Sequence, residues 1–183
     1  FFINPGYTFT GWNTQANGKG ESYQPGDQVK DLAEEGTVTL YAQWRPSTYT
    51  AIFLPGADDC KGSVKDMPNL VNGKSYVFPK CGYTRTGYQF AGWGVERADD
   101  LIWNAGDKLK MTRVEEGYVA EFVARWTPNT YTVRFNANKG TGKMPDQKGI
   151  LYGEATELSP CAFTRKGYQF TGWNTKANGT GET

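Results

Sequence analysis

The stretch GYTFTGWNTQANGKGE at positions 6–21 returns almost unchanged as GYQFTGWNTKANGTGE at positions 167–182. Thirteen of the sixteen residues are identical, and the two copies begin 161 positions apart. A third and more divergent copy, GYQFAGWGVERADD, occupies positions 87–100. A motif that recurs at one fixed period indicates a chain built from tandem structural repeats, each of which carries the same folding information.

Further residues follow the same period and divide the chain into repeats. The tryptophans of the three copies, Trp12, Trp93 and Trp173, lie 81 and 80 positions apart. Four other pairs keep nearly this spacing: Trp44 with Trp126, Tyr49 with Tyr131, Phe53 with Phe135, and Cys81 with Cys161. We interpret 1–44 as the C-terminal part of one repeat, 45–126 as a complete repeat, and 127–183 as the N-terminal part of another, with the whole drawn from a longer array.

The repeats are joined by short segments, in WRPSTYT and WTPNTYT. Four residues, Arg45–Thr48 or Thr127–Thr130, separate the closing tryptophan of one repeat from the opening tyrosine of the next. Four extended residues span at most roughly 14 Å, and the proline in each segment stiffens it. We therefore expect neighbouring repeats to lie nearly end to end.

Within a repeat the pattern predicts mostly strands. YTVRFNA at 131–137 alternates Tyr131, Val133 and Phe135 with polar residues, as a half-buried strand does. TVTLYAQW at 37–44 also keeps its apolar residues in one phase. The Asn-Gly pairs in ANGKG and ANGTG favour tight hairpin turns, because both central residues of such a turn need positive φ.

One short helix is expected in each repeat, before the closing strand. In GDQVKDLAEEG (26–36), Asp27 is a candidate N-cap and Gly36 a candidate C-terminal glycine. GDKLKMTRVEEG (106–117) repeats this design with Asp107 and Gly117. The predicted fold class is therefore α+β and dominated by strands, with one short helix in each repeat.

The order of these motifs carries a family resemblance. GYTFTGWNT, followed by YQPGD and TLYAQW and later by YTVRFNANKGTGKMP, resembles the Listeria–Bacteroides repeat family, which includes the B-repeat of listerial internalin. The resemblance covers essentially the whole chain. It implies small β-grasp-like modules, found in tandem on bacterial surface proteins, that serve as spacers, as adhesive modules or as partners of host surface molecules. The middle repeat departs from the pattern at 92–107 and 54–62, so the resemblance implies a shared fold for it but not an equal function.

Composition argues against catalysis and against several classes of ligand. The chain has no histidine, which is the usual general base and a common zinc ligand. Its 20 basic and 19 acidic residues are not clustered, so we expect no nucleic-acid partner. GTGKMP at 140–145 lacks the first glycine and the final Ser or Thr of a phosphate-binding loop. We predict that the protein is not an enzyme, nominate no catalytic, cofactor-binding or metal-binding residue, and expect no cofactor.

Acidic pairs mark two kinds of position. Glu34-Glu35 and Glu115-Glu116 stand at the same place in their repeats, just before a turn glycine, where solvated charge is ordinary. The middle repeat adds four aspartates in predicted loops: Asp58, Asp59, Asp99 and Asp100. Oxygen ligands from loops suit calcium, but no EF-hand spacing supports a site. A calcium site at these aspartates is left open.

The three cysteines do not pair neatly. Cys81 and Cys161 hold equivalent positions in different repeats, too far apart for a disulfide, which needs Cα atoms within about 7 Å. We therefore expect Cys161 to be a free thiol. Cys60 lies in the insertion of the middle repeat and could reach Cys81, and this pairing stays open.

The tryptophans admit two interpretations. Exposed aromatic rings can form flat platforms for sugars, whereas a residue that recurs at one position in every copy is what a core requires. Trp12, Trp93 and Trp173 recur beside alternating Tyr and Phe, and Trp44 and Trp126 close strands in phase. We favour core positions for all of them, and for Trp103, which replaces Tyr23 at a matching place.

The sequence thus predicts a non-enzymatic tandem repeat module of a bacterial cell-surface or secreted protein, located outside the cell. It would act as a spacer, or in adhesion or protein interaction, with a host-surface or matrix protein or a glycan as partner. The alternative is a carbohydrate-binding module attached to a glycan-acting or adhesive protein. The segment contains no run of about 18 apolar residues, so the sequence predicts no membrane span within it. The partial repeats also predict exposed strand edges, covered by neighbouring repeats or by pairing between molecules.

Overall fold

The computed structural model describes residues 2–183, and at Asp99 and Asp100 it describes the backbone alone. In that range all regular structure is β-strand, and there is no helix, so none that could cross a membrane. The chain forms two compact units. One comprises the residues up to Thr86 together with Phe90–Trp126, and the other comprises Gly87–Gln89 together with Thr127–Thr183.

The first unit begins with a three-stranded antiparallel sheet, here called the N-terminal sheet. Its strands are β1 (Tyr7–Asn13), β2 (Ser22–Tyr23) and β3 (Tyr41–Pro46), in the order β2-β1-β3. The GYTFTGW motif supplies β1, and its partner β3 is the predicted closing strand YAQW. Phe9 lies opposite Trp44 in the register, and Trp12 lies opposite Ala42.

The remainder of the first unit is built on a five-stranded sheet, here called the central sheet. Nine strands follow β3 in chain order: β4 (Thr48–Leu54), β5 (Lys61–Gly62), β6 (Met67–Val71), β7 (Tyr76–Val77), β8 (Tyr83–Thr84), β9 (Tyr88–Val95), β10 (Ala98–Trp103), β11 (Lys108–Leu109) and β12 (Tyr118–Pro128). The central sheet has the order β10-β9-β12-β4-β6, while the short strands pair as β5 with β8 and β7 with β11. Its first and last strands, β4 and β12, are parallel neighbours.

The core of the first unit lies on one face of the parallel pair. Alternate residues of β4 and β12 point into it, and in the register Ala51 lies opposite Ala120 and Phe53 opposite Phe122. Trp93 of β9 is fully buried against Phe53, with ring centroids 4.9 Å apart. The core is therefore a packed group of aromatic rings, which compensates for the small number of aliphatic residues.

The second unit contains a hairpin of β13 (Thr130–Val133) and β14 (Gln147–Leu151), here called the C-terminal hairpin. Phe135 and Ile150 are its buried apolar residues. In the segment GTGKMP, Thr141 makes an isolated antiparallel bridge to Thr164.

The predicted helices at 26–36 and 106–117 are absent, so the α+β prediction is wrong and the described chain is all β. Asp27 is not an N-cap. Its carboxylate accepts a hydrogen bond from the amide of Gln24 at 2.6 Å, while the Asp27 amide donates to the Gln24 carbonyl at 3.1 Å. Asp107 closes the same turn with Asn104. An aspartate before an apolar segment can satisfy a turn as well as a helix start, and here the turn prevails.

Steric constraints explain the glycine of the first two GW pairs, Gly11 and Gly92. Gly11 and Gly92 have φ near +130°, and the pairing of β1 with β3 shifts register at Gly11. A Cβ at Gly92 would contact the side chain of Ile102 on the neighbouring strand, which runs too close for any side chain at this position. Glycine therefore permits both the bulge and the close approach of the adjacent strand.

The Asn-Gly segments are not two-residue hairpins, contrary to the prediction. Of Asn17 and Gly18, only Gly18 has positive φ, and the loop is closed by the Thr14 amide donating to the Glu21 carbonyl. The side chain of Asn13 stabilises this loop through hydrogen bonds. Its buried amide group accepts from the Gln15 and Gly20 amides and donates to the Gly20 carbonyl and to Ser22. Asn174 makes the corresponding contacts in the last copy.

The central sheet provides a test of this core. Phe122 is 4% exposed and contacts the rings of Phe53 and Phe78. We expect Phe122→Ala to lower the free energy of unfolding by about 3–5 kcal/mol, because it removes a buried ring and leaves a cavity. Urea unfolding followed by tryptophan fluorescence measures this. Val119→Ala on the same strand, where the side chain is exposed, is the control, and an equal loss in both variants would contradict the assignment.

Candidate functional site: the junctions between repeats

The first junction is a single buried residue between two strands. β3 ends at Pro46 and β4 begins at Thr48, so only Ser47 separates the N-terminal sheet from the central sheet. The Ser47 amide donates to the carbonyl of Gly6, and its carbonyl accepts from the amide of Asn72, both at 2.9 Å. Because both backbone groups are satisfied by turns of the two flanking sheets, the junction is part of the fold and not a solvated linker.

Glu116 is the polar centre of this junction. Its carboxylate accepts two hydrogen bonds from the Arg45 guanidinium, each at 3.0 Å, in a bidentate pair. It accepts two more from the amide and hydroxyl of Thr48, and one from the hydroxyl of Thr8 at 2.9 Å. Thr8 and Arg45 belong to the N-terminal sheet, and Thr48 opens the central sheet. One carboxylate from just before β12 thus holds both sides together, and we call these four residues the Glu116 clamp.

The clamp favours the charged form of its carboxylate. The hydrogen bonds, first those from Arg45 and then the one from the Thr48 amide, lower the pKa of Glu116 from its ordinary 4.5 to about 2. Bidentate and charge-assisted contacts of this kind are the stronger class of hydrogen bond. Both partners are nevertheless partly open to water, so solvent screens the pair.

Close packing of two turns, one at Gly6 and one at Asn72, completes the junction beside the clamp. Gly6 has φ +83°, and a Cβ there would collide with the side chain of Asn72. The Asn72 side-chain oxygen in turn accepts from the amide of Val114 at 3.3 Å. The glycine that opens the GYTFTGW motif therefore allows the turn of one repeat to pack directly on the turn of the next.

The same backbone pattern recurs within the second unit. The Asn129 amide donates to the carbonyl of Gly87, and the Asn129 carbonyl accepts from the amide of Tyr152, both at 2.8 Å. Gly87 has φ +79°, and a Cβ there would meet the ring of Tyr152. Side chains differ: Thr127 stands where Arg45 does, and Tyr88 packs edge-on against Tyr152 at 5.8 Å. The junction is thus a repeated backbone feature with variable side-chain reinforcement.

Of the acidic pairs, the sequence identified the position of Glu116 but missed its role. Glu115-Glu116 was expected to be solvated charge, whereas Glu116 is the most heavily hydrogen-bonded carboxylate of the junction. The available signal was weak. The sequence feature that pointed to a charged partner at this junction was Arg45 in the first linker, where the second linker has Thr127.

The aspartates of the middle repeat do not gather into a described site. Asp58 and Asp59 lie in a turn, and Asp59 accepts a hydrogen bond from Arg85 at 2.7 Å. Asp99 and Asp100 are in strand β10 and not in a loop, contrary to the prediction, and their side chains lie outside the described residues. The described side chains include no group of three that could hold a metal ion. The calcium site stays a prediction.

All three cysteines are free thiols in the structure, including Cys161 as expected. Cys81 donates to the Tyr83 carbonyl and Cys161 to the Phe163 carbonyl, so the two equivalent residues make equivalent contacts two positions ahead. Cys60 donates instead to the Pro55 carbonyl at 3.3 Å. Burial raises the pKa of Cys81, which disfavours its reactive thiolate form.

The tryptophans are interior or half-buried, and none is exposed. Trp93 is fully buried and donates its indole N–H to the Pro79 carbonyl at 3.0 Å, which confirms the core prediction for this residue. The other five are half-buried, and each packs against another aromatic ring: Trp12 and Trp44 against Phe9, Trp103 against Phe78, Trp126 against Phe90, and Trp173 against Phe135.

Comparison with known proteins supports the repeat interpretation. The model of the Listeria-Bacteroides repeat domain matches residues 2–43, 49–114 and 131–183. The chain belongs to this family. The three matches leave out both junction segments, which is consistent with one match for each copy of the motif. No solved structure gave a significant match to the chain.

Three relatives extend this result. A protein of Evansella cellulosilytica named "Putative Gly-rich membrane protein" is 32% identical over 93% of this chain and 18% of its own length. A second protein of that organism, named "Putative membrane protein", is 27% identical over 97% of this chain and 24% of its own. Internalin H of Listeria monocytogenes is 32% identical over 79% of this chain and 23% of its own. The chain therefore spans less than a quarter of the length of each of these relatives, and the family is one of bacterial surface proteins.

The clamp predicts a specific pH dependence. Because the pKa of Glu116 is lowered on folding, its stabilising effect is complete above pH 4.5 and is lost as the pH falls toward 2. We expect Glu116→Gln to lower the urea midpoint of the first unit at pH 7, and we expect the difference from the unmodified protein to vanish near pH 2. Glu115→Gln, which alters the adjacent carboxylate outside the clamp, is the control. A difference that persisted unchanged to pH 2 would show that ionisation of Glu116 is irrelevant.

Proposed function

We propose that this chain is a non-enzymatic spacer segment of a bacterial surface protein, in which the N-terminal sheet and the central sheet are held by a fixed junction. The observation that carries this proposal is the one-residue connection at Ser47, bonded through its backbone to the turns of both flanking sheets. A flexible linker would expose its backbone to water and allow each repeat to reorient freely.

The contacts of the junction suit a load-bearing segment. Thr8 and Arg45 of the N-terminal sheet both bind Glu116, and Thr8 also bonds to Ser47 at 3.1 Å. Tension along the chain would therefore be shared between the peptide backbone and several side-chain hydrogen bonds. Absence of histidine and the aromatic core fit a structural role better than a catalytic one.

The location and partners of the segment follow from its relatives as part of this proposal. Membership of a surface-protein family and similarity to proteins named as membrane proteins support a place outside the cell, on the surface or secreted. Such a spacer would hold a more distal domain away from the cell surface. Its own outer faces would remain available for adhesion to a host-surface or matrix protein or a glycan.

Nuclear spin relaxation tests the fixed junction directly. We expect the backbone amides of β1 and of β9 to report one common rotational correlation time, because the N-terminal and central sheets move as one body. Glu116→Gln removes the charge from the clamp and is expected to separate the two values, whereas Glu115→Gln should not. Two distinct correlation times in the unmodified protein would refute the spacer with fixed junctions.

The carbohydrate-binding alternative rests on one surface. A groove of about 550 Å³ on the central sheet is lined by Phe78, Trp103 and Phe122, with Arg97 and Lys108 among its charged residues. Trp103 does face this groove, but Phe78 stacks on its ring with centroids 5.3 Å apart. A sugar platform needs a well-exposed aromatic face, whereas Trp103 is half-buried and also packs edge-on against Phe122, with ring centroids 5.7 Å apart. We therefore rank the glycan module second.

Acrylamide quenching of tryptophan fluorescence separates the two functions. Since all six tryptophans are buried or half-buried, we expect blue-shifted emission and a quenching constant well below that of N-acetyltryptophanamide. The same protein in 6 M guanidinium is the internal control and should be quenched strongly. Strong quenching in the folded protein would contradict this arrangement and favour the sugar-platform function.

A further inference from the structure

Two strands of the central sheet set the path that tension takes through it. β4 is the first strand of this part of the chain and β12 is the last. They are parallel neighbours, paired over six positions from Tyr49 with Tyr118 to Leu54 with Val123. A pull along the chain therefore acts at the N-terminal end of β4 and at the C-terminal end of β12. Because the strands are parallel, this pull draws them in opposite directions.

The line of pull lies nearly along the strands. At the start of the pair, the Gly117 amide donates to the Thr48 carbonyl at 2.8 Å. Trp126 lies nine positions further along the chain, within β12. At about 3.3 Å per residue these positions span roughly 30 Å, whereas neighbouring strands lie only about 4.8 Å apart. The force on the pair is therefore almost entirely a shearing force.

Shear is the direction in which a strand pair resists most. The same contacts are broken whichever way the two strands are pulled apart, but the distance over which they break differs. In shear, all six paired positions give way together within about one residue step, ~3.3 Å. In peeling, they give way one after another along the whole pair. Because work is force multiplied by distance, shear requires the larger force.

The aromatic core prevents the two strands from slipping by small steps. The rings of Phe53 on β4 and Phe122 on β12 stack with centroids 5.7 Å apart, and Trp93 packs on Phe53 at 4.9 Å. A slip of one residue would move the buried side chains of one strand to the opposite face of the sheet. The adjacent register is therefore closed to this pair, and the strands must separate completely.

Side-chain hydrogen bonds reinforce both ends of the pair. At one end the Glu116 carboxylate accepts from the amide and the hydroxyl of Thr48, each at 3.0 Å. At the other end the indole N–H of Trp126 donates at 2.7 Å to the carbonyl of Pro55, the residue after β4. Each bond joins the two loaded strands or a residue directly beside them, so each opposes sliding.

We propose that β4 and β12 form a mechanical clamp that carries tension along the surface protein in shear. The inference rests on the proposed spacer function, since a segment that holds a distal domain away from the surface is stretched by any pull on that domain. Tension passes directly from β4 to β12. The strands between them in the chain, β5 to β11, are therefore shielded from the load until this pair gives way.

Single-molecule force spectroscopy with handles on engineered cysteines tests the clamp. In a background with the three native cysteines replaced by serine, Pro46→Cys with Thr127→Cys pulls the pair in shear. Pro46→Cys with Glu115→Cys, which stands before β12 at the Thr48 end, peels the same pair apart. All three handle positions are exposed, and tryptophan emission verifies the fold of each variant. We expect a severalfold higher unfolding force in shear. Equal forces, or a higher force in peeling, would overturn the proposal.

Loss of one end bond provides a second test. Trp126→Phe keeps an aromatic ring but removes the N–H that binds the Pro55 carbonyl. We expect it to lower the shear force and to leave the peeling force unchanged, because peeling starts at the opposite end. Trp44→Phe, at the corresponding position of β3, is the matched control and should change neither force. An unchanged shear force in Trp126→Phe, or an equal loss in Trp44→Phe, would contradict the proposal.

Failure of the clamp can be distinguished from failure of the spacer function. Residues 1–45 lie outside the path between the attachment points, so the forces do not depend on how firmly the N-terminal sheet is held. The correlation times of the N-terminal and central sheets test that junction separately. A weak clamp with one common correlation time would overturn this inference alone.

Discussion

The parallel pairing of β4 with β12 is the interaction on which the rest of the fold depends. It joins the first strand of a repeat to its last, so it closes the sheet only after the whole repeat has been placed. The buried rings of Phe53 and Phe122 meet across this pair, and Trp93 of β9 packs on Phe53. Where the chain offers only one member of the pair, the corresponding residues 37–40 and 134–136 form no strand.

Sequence patterns located the strands, although YTVRFNA and TVTLYAQW form strand over only part of their predicted length, and they predicted the helices wrongly. Alternating apolar residues and the recurring tryptophan report side-chain burial, which a single chain segment encodes. The segment 106–117 was assigned to a helix on its Asp and Gly ends. Its apolar residues Leu109 and Met111 nevertheless alternate with lysines in a period of two, as a strand requires. In this segment periodicity was the better guide, because an aspartate satisfies a turn as readily as a helix start.

The junction could be located from the sequence but not described. Short linkers at Arg45–Thr48 and Thr127–Thr130 indicated close neighbours, and the structure shortens the first of them to Ser47. The role of Glu116 could not be predicted from the sequence, because its hydrogen-bond partners lie 68, 71 and 108 positions away in the chain. Such contacts depend on the tertiary fold, and a carboxylate beside a turn glycine carries no mark that distinguishes it from ordinary surface charge.

The clamp links the junction to the parallel pair. Glu116 stands two residues before Tyr118, which is paired with Tyr49, and it binds Thr48, the residue before Tyr49. The carbonyl of Thr48 also accepts a hydrogen bond from the Gly117 amide at 2.8 Å. The carboxylate can reach Arg45 and Thr8 of the preceding sheet only when β12 is in register beside β4. A repeat that has not closed its own sheet therefore cannot hold its neighbour, and order in the junction depends on completion of the repeat that follows it.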